Sequence, residues 1–272
     1  MELLISIITI NYNNEFGLQK TIESVISQTS KKFEYIIIDG GSTDGSKASI
    51  NLYKHHFSYN VSEPDQGIYH AMNKGIRVAK GKFLLFLNSG DTLSNNDVLE
   101  KIDPYLNSDD DIIYGNAAYL EPNGKVVRTY PNELSFGFFM AHNLSHQTSF
   151  IRKSLFYDLF FYNEDYKIVS DWEFFIYAIC KENRPYQHVD MIICNYDVSG
   201  ISSIISNHKS MNEERRQTLE RYFPLFIKDY EKITILNSKR GQQFFYIKKY
   251  GFAYKILKAW MSFILLFLPK TK

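Results

Sequence analysis

Two cysteines in 272 residues exclude a disulfide framework, and neither Cys180 nor Cys194 has a His or Cys partner at zinc-binding spacing. Each sits in an apolar stretch and reads as a small buried hydrophobe of a reducing compartment. Charge of one sign is also lacking. The 31 basic and 30 acidic residues leave a formal net charge of +1, without the excess that marks disordered chains. No internal repeat or low-complexity linker interrupts the sequence. No basic segment precedes the apolar run after Met1-Glu2, so no signal peptide is expected and the catalytic face is expected in the cytoplasm. The apolar stretch 259–268 falls far short of the roughly 20 residues that span a bilayer. Two signature loops are missing as well. Where a dehydrogenase would carry Gly-x-Gly-x-x-Gly, or a phosphate-loop NTPase Gly-Lys-Ser/Thr, the chain has Asn11-Tyr12-Asn13-Asn14. A sugar-phosphate nucleotidyltransferase would want a Gly-rich, Arg-containing loop there.

What is present is a 44% hydrophobic chain with 20 Tyr and 21 Phe, enough for one sizeable core and a smaller appended lobe. Most of the aromatics are expected to pack, and some to line a cleft that takes sugar rings. The neutral total hides an asymmetry. Residues 221–272 hold eleven Lys/Arg against Asp229 and Glu231, while the preceding 220 hold twenty basic and twenty-eight acidic residues. An acidic body with a basic, aromatic tail suits contact with an anionic surface.

Residues 3–10 form a β-branched apolar run, and 33–39 a second; both read as buried strands. Leu18, Ile22, Val25 and Ile26 lie between them at helical spacing. The pattern repeats with a short strand near 57–62, a helix marked by Ile68, Met72, Ile76 and Ala79, and a strand over 82–87. Such alternation predicts an α/β domain with a mainly parallel sheet, whose ligands sit beyond the carboxyl ends of the strands. A hairpin across 115–130, turning at Pro122-Asn123-Gly124, is expected next. A strand near 148–151, a helix near 170–182 and a strand near 187–197 follow. From 206 onward the pattern is helical.

Asp39, Asp65 and Asp91 close predicted strands or follow them at once. One such Asp alone is more often a turn cap; three on one sheet edge point to a site. In Asn88-Ser89-Gly90-Asp91 a carboxylate beside glycine lets metal and diphosphate come close.

The segments Ile7-Ile8-Thr9-Ile10-Asn11-Tyr12-Asn13, Ile38-Asp39-Gly40-Gly41-Ser42-Thr43-Asp44-Gly45, Ala71-Met72-Asn73-Lys74-Gly75 and Phe86-Leu87-Asn88-Ser89-Gly90-Asp91 together resemble the family 2 glycosyltransferases. The resemblance runs over 3–117 and more thinly to 205. It implies the GT-A fold, a mainly parallel central sheet flanked by helices, with a catalytic domain over 1–205. Within it, 1–117 would bind the nucleotide-sugar and 118–205 face the acceptor; 206–272 would be a helical C-terminal extension. It implies an inverting transfer from a nucleotide-diphospho-sugar, UDP-sugar favoured, to a glycan or lipid-linked glycan hydroxyl in cell-surface polysaccharide assembly. Thr9, Asn11, Asp39, Asp65, Asn73, Asn88 and Ser89 would form the donor pocket, and Asp91 would bind Mn²⁺ or Mg²⁺. Two positions depart from the family pattern. Asn88 and Gly90 stand where further acids are frequent, and Met72 stands where an arginine near the phosphates is frequent, with Lys74 as its candidate replacement.

In Ser170-Asp171-Trp172-Glu173 an acid at a helix start matches the family's catalytic base: Asp171, with Glu173 as alternate. A hydroxyl needs such a base to become a nucleophile. His146 and Gln147, in His146-Gln147-Thr148-Ser149-Phe150, and Trp172 are expected on the acceptor side, and Gly200-Ile201-Ser202-Ser203 as a loop closing over the donor. The rival reading is an inactive nucleotide-sugar or glycan-binding module. Nucleic acid is not an expected partner, because the basic residues gather in an apolar tail. Over 240–272 lysines interleave with aromatics, a pattern that fits the interface of the inner face of an anionic cytoplasmic membrane. Packing on the body or in a homodimer is the alternative.

Overall fold

The computed structural model describes residues 3–121, 124–198, 200 and 205–269. Its first half alternates as the hydrophobic pattern requires: β1 (Ile5–Asn11), α1 (Glu15–Ile26), β2 (Phe33–Asp39), α2 (Ser46–Leu52), β3 (Tyr59–Ser62), α3 (Ile68–Val78) and β4 (Phe83–Phe86). Every residue of β1 is buried, as a β-branched run covered on both faces must be. Asn14 caps α1 by accepting the Gly17 N–H at 3.1 Å. The α1 stripe of Leu18, Thr21, Ile22 and Val25 is buried, the 3–4 spacing of a helix with one face on a core. Gly75 allows α3 its close approach to β1, since a Cβ there would stand 2.5 Å from Ile8.

The second half comprises β5 (Thr92–Leu93), α4 (Val98–Ile102), β6 (Ile112–Glu121), β7 (Gly124–Arg128), α5 (Phe136–Ala141), β8 (Ser149–Arg152), α6 (Lys153–Asp158), α7 (Ser170–Ile176) and β9 (Tyr186–Asp197). Pro122 and Asn123 of the expected hairpin lie outside the described residues, and the strands they join pair antiparallel. The helix expected over 170–182 ends at Ile176 and runs on as a wider π-type turn over Tyr177–Lys181.

The strands form one sheet in the order β3-β2-β1-β4-β8-β6-β9-β5, with β7 paired to β6. The first four are mutually parallel. Beyond β4 the sheet is mixed: β8 runs antiparallel to both β4 and β6, while β9 is parallel to β6. Two antiparallel steps restore direction, so β6 and β9 again run with β1. Their carboxyl ends open on the same edge as those of β1, β2 and β4, which is where α/β sheets bind ligands.

The chain divides between Tyr222 and Phe223, not at 205. The reason is α8 (His208–Tyr222). Its buried Glu214 accepts the backbone N–H groups of Lys167, Ile168 and Val169 at 3.0, 3.0 and 3.1 Å, and Thr218 bonds the Tyr166 hydroxyl at 3.2 Å. A helix this polar is bound by satisfied buried groups rather than by an apolar stripe. The second unit holds α9 (Ile227–Asn237), α10 (Lys239–Lys248) and α11 (Gly251–Leu265). Among the described residues no helix is long and apolar enough to cross a membrane.

Candidate active site

A cleft of about 900 Å³ opens along this edge, lined by Asn11, Gly40, Gly41 and Asp65 from the β1–β3 side, by Asn88, Ser89 and Asp91 after β4, and by Asn143, His146, Gln147, Asp171 and Asp197 from the second half. The backbone makes room for it. Gly41 has φ +81° and Gly90 φ +108°, and a Cβ at Gly90 would meet Asp197 Oδ2 at 2.8 Å; the left-handed backbone and the close carboxylate both select glycine.

Asp39, expected on the nucleoside, is wholly buried and committed to its neighbours. Oδ1 accepts Asn11 Nδ2 at 2.7 Å and Ser42 Oγ at 2.5 Å; Oδ2 accepts the Ser42 N–H at 3.0 Å and Ser62 Oγ at 2.5 Å. Burial raises its pKa, but the hydrogen bonds from Ser42, Ser62 and Asn11 outweigh that and hold the carboxyl below its ordinary value. Asp39 therefore shapes the Gly40-Gly41 turn that faces the cleft. Two further donor candidates also lie inside the fold. Thr9 shares a 3.0 Å hydrogen bond with the Tyr35 hydroxyl. Asn73 donates to the Tyr162 carbonyl and to Glu164 Oε1, both at 2.8 Å, and accepts the Tyr162 N–H at 3.1 Å. Buried polar groups must find partners, and in a packed sheet these are protein atoms. Asp65, Asn88 and Ser89 line the cleft with Asn11.

Asp91 is buried at the cleft. Its Oδ1 accepts the Asp197 N–H at 2.9 Å and its Oδ2 the Gln147 amide at 3.0 Å. Burial pushes its pKa up to about 6; the bonds from Asp197 and Gln147 resist the rise, and the nearby Asp197 carboxylate adds to it. Asn88 Oδ1 is a buried acceptor without a protein partner. An all-oxygen set of Asp91 and Asp197, beside an unpaired amide oxygen, fits a hard divalent cation. Among the described residues no three Asp, Glu, His or Cys side chains are placed to hold a metal ion, so substrate phosphates would have to complete the shell, as is usual for Mg²⁺.

Asp171, in the first turn of α7, takes four hydrogen bonds. Oδ1 accepts from the Tyr69 hydroxyl at 3.2 Å and the Trp172 N–H at 2.8 Å; Oδ2 accepts from Asn143 Nδ2 at 3.1 Å and meets His146 Nδ1 at 2.9 Å. His146 Nε2 lies 3.2 Å from Asn88 Nδ2. Since the Asn88 amide nitrogen can only donate, Nε2 accepts and Nδ1–H donates to Asp171. His146 thus links the loop after β4 to the acid on α7.

Trp172 and Glu173 do not reach the cleft. Trp172 is fully buried, with its indole N–H on the Phe139 carbonyl at 2.8 Å. One helical step turns its ring away from the face that carries Asp171, which corrects its placement on the acceptor side. Glu173 is 1% exposed, with Arg221 Nη1 3.9 Å from Oε1, so it is no alternate base. Its pKa is pushed up to about 7 because burial outweighs the pull of Arg221. The folded state then holds a proton that the unfolded chain releases near 4.5. Stability should fall as pH rises from about 4.5 through about 7. Glu173→Gln should relieve a cost on the order of 3 kcal/mol at pH 8 and change little at pH 5. Thermal unfolding at both pH values checks this; an equal shift at both would rule it out.

Residues 6–170 match the family described as glycosyl transferase family 2. The chain belongs to that family. A PGL/p-HBAD biosynthesis glycosyltransferase of Mycobacterium tuberculosis is 28% identical over 209 residues, 74% of this chain and 80% of that protein. Two solved structures share the GT-A fold. One is TarS of Staphylococcus aureus in complex with UDP-GlcNAc, with a TM-score of 0.60 and 19% identity over 71% of this chain and 58% of that one. The other is the mannosyltransferase PcManGT of Pyrobaculum calidifontis in complex with GDP-Man and Mn²⁺, with a TM-score of 0.63 and 14% identity over 96% and 80%. The chain thus spans little more than half of the TarS chain.

Several residues of this glycosyltransferase's cleft escape the sequence reading. Asp197 closes a predicted strand just as Asp39 does, and the same rule would have found it. Tyr69, Asn143 and Arg215 carry no local signal, since only packing turns them inward. Residues 201–203 of the expected closing loop lie outside the described residues; Gly200 lines the cleft.

Proposed function

We propose that this glycosyltransferase moves a sugar from a nucleotide-diphospho-sugar, with UDP-sugars the first to test, to a hydroxyl of a glycan or lipid-linked glycan in cell-surface polysaccharide assembly, with inversion. The observation that carries the reading is the pairing in one cleft of a carboxylate held by four donors, Asp171, with an oxygen-rich site suited to a divalent cation at Asp91.

Asp171 takes the proton of the acceptor hydroxyl as its oxygen attacks the anomeric carbon and the bond to the diphosphate breaks. The attack comes from the face opposite the leaving group, which inverts the centre and needs no covalent sugar–enzyme intermediate. His146, Asn143 and Tyr69 fix the direction of the Asp171 carboxylate. The turn at Gly40-Gly41 and the side chains of Asn11 and Asp65 hold the nucleoside, and this positioning supplies much of the rate gain. Asp91 and Asp197 would hold Mn²⁺ or Mg²⁺, which when bound offsets the charge of the leaving diphosphate. Binding of UDP-, GDP- and dTDP-sugars, with and without Mn²⁺ or Mg²⁺, tests the reading. One donor class bound with metal dependence is expected; a folded protein that binds none would leave the inactive module.

The second unit supports a peripheral site of action on the inner face of an anionic membrane. Phe252 and Trp260 are exposed at 80% and 61%, and residues 232–269 contain Lys and Arg but no acid. Exposed rings and chains with lysines on one helix fit the bilayer interface. The protein should sediment with vesicles containing phosphatidylglycerol and much less with phosphatidylcholine alone. Removing 240–272 should abolish the difference; unchanged sedimentation would reject membrane contact.

A further inference from the structure

Charge in the cleft is unbalanced. Asp65, Asp91, Asp171 and Asp197 line it, and Lys167 and Arg215 are the Lys and Arg side chains among its described lining. Other cations nearby in the chain are engaged. Lys74 pairs with Glu63 at 2.7 Å, Arg216 pairs with Glu213 and Glu220, and the Arg215 guanidinium carbon lies 5.0 Å from the centroid of the Trp172 ring. Lys167 differs. Its side chain is exposed and lines the cleft, and among the described residues its ammonium enters no ion pair or ring contact.

The root of this side chain is fixed. Tyr166 and Ile168, on either side, are buried. Glu214 of α8 accepts the N–H groups of Lys167, Ile168 and Val169, Thr218 bonds the Tyr166 hydroxyl, and Ser170 Oγ accepts the Asn163 N–H at 2.5 Å. A backbone held at these points gives Lys167 a set position relative to α7, and Asp171 stands four residues on. Only the methylene stem remains to be ordered when the ammonium binds, at a cost of up to about 2 kcal/mol. An exposed lysine is ordinarily a solvated surface group. This one ends in a cleft, on the segment that carries the proposed base, among four carboxylates of which none pairs with it. A phosphate brought into that field by the acceptor would be repelled unless a cation met it, and a lysine ammonium meets phosphate as a point charge.

We propose that Lys167 receives a phosphate carried by the acceptor, beside the sugar whose hydroxyl Asp171 deprotonates. The inference rests on the transfer reading above and narrows its acceptor class from any glycan to a glycosyl phosphate. Ligand-observed NMR on the full chain tests it, with the protein saturated by UDP and Mn²⁺, and again by GDP and Mn²⁺, so that the donor's phosphate site is filled. The probes are the 1-phosphates of glucose, galactose, mannose and N-acetylglucosamine, their methyl glycosides, and inorganic phosphate, each with wild type, Lys167→Met and Lys167→Arg. At least one 1-phosphate should bind about 3- to 10-fold more tightly than its methyl glycoside. Lys167→Met should remove that preference and Lys167→Arg keep it, with UDP or GDP affinity held within about twofold. Circular dichroism establishes that the variants are folded. No preference in wild type, or an equal preference in Lys167→Met, overturns the role of Lys167. Inorganic phosphate bound as tightly as the 1-phosphates would show a bare anion site and overturn the acceptor contact. Nucleotide binding weakened along with the 1-phosphates in Lys167→Met would put the ammonium on the donor and overturn it too. Wild-type protein that binds neither UDP nor GDP overturns the nucleotide-sugar reading itself, and the inference with it.

Discussion

Asp171→Asn is expected to lower kcat by about 10²- to 10⁴-fold, the range that a positioned general base contributes, with donor affinity held within about twofold. The asymmetry follows from where Asp171 stands. Its carboxylate faces the cleft from α7 and is built into a network with Tyr69, Asn143, His146 and the Trp172 N–H, while the side of the cleft proposed to hold the nucleoside is formed by the turns after β1, β2 and β3. An amide offers one acceptor oxygen where four donors converge, so part of the network is left unpaired at a cost of about 1–3 kcal/mol. That cost appears in the melting temperature, and the loss of base appears in turnover. Measuring both, together with donor binding by titration, separates them. A variant that melts normally, binds donor normally and keeps near wild-type turnover would remove Asp171 from the chemistry.

Asp91→Ala should abolish the dependence of donor binding on Mn²⁺ or Mg²⁺ and lower kcat/KM by about 10²- to 10³-fold, the scale for losing one element that stabilises developing charge. The carboxylate is buried and raised to about 6 in a site short of counter-charge, a cost that a bound cation would relieve. Because Asp91 also accepts the Asp197 N–H and the Gln147 amide, its removal frees the end of β9 as well. Asp91→Asn keeps one oxygen for those donors and separates the two effects. Metal-dependent donor binding that persists in both variants would show that the cation is held elsewhere.

The elements most legible in the sequence are those whose side chains answer to burial alone. The runs 3–10 and 33–39 are β-branched and apolar at successive positions, which suits a strand covered on both faces, and β1 and β2 lie there. The same logic located the loops that end β1, β2 and β4, because a chain leaving a buried strand must turn polar. It also marked Asp91 by its place at a strand end, while Asp171, at a helix start, is singled out only by the family resemblance. It could not say which polar side chain of such a loop faces the cleft. The family resemblance sets Thr9, Asp39 and Asn73 beside Asn11 and Asp65 in the donor pocket, yet their side chains turn inward, where Tyr35, Ser42, Ser62, Tyr162 and Glu164 satisfy them. Trp172 misled for the opposite reason. A large aromatic beside an acid is a plausible sugar platform, and packing of α7 on α5 buried it instead.

By itself, then, the sequence determined the α/β class, the strand-ending loops that line the cleft and the basic, apolar character of the tail. Hydrophobic periodicity and composition are local properties, and local properties can be read along a chain. Tertiary structure alone decided the mixed half of the sheet, the union of Asp197 with Asp91 across 106 residues, the link from Asn88 through His146 to Asp171, and the attachment of α8 to the catalytic body. These depend on hydrogen bonds between buried groups far apart in sequence, and such groups find their partners only once the chain has packed.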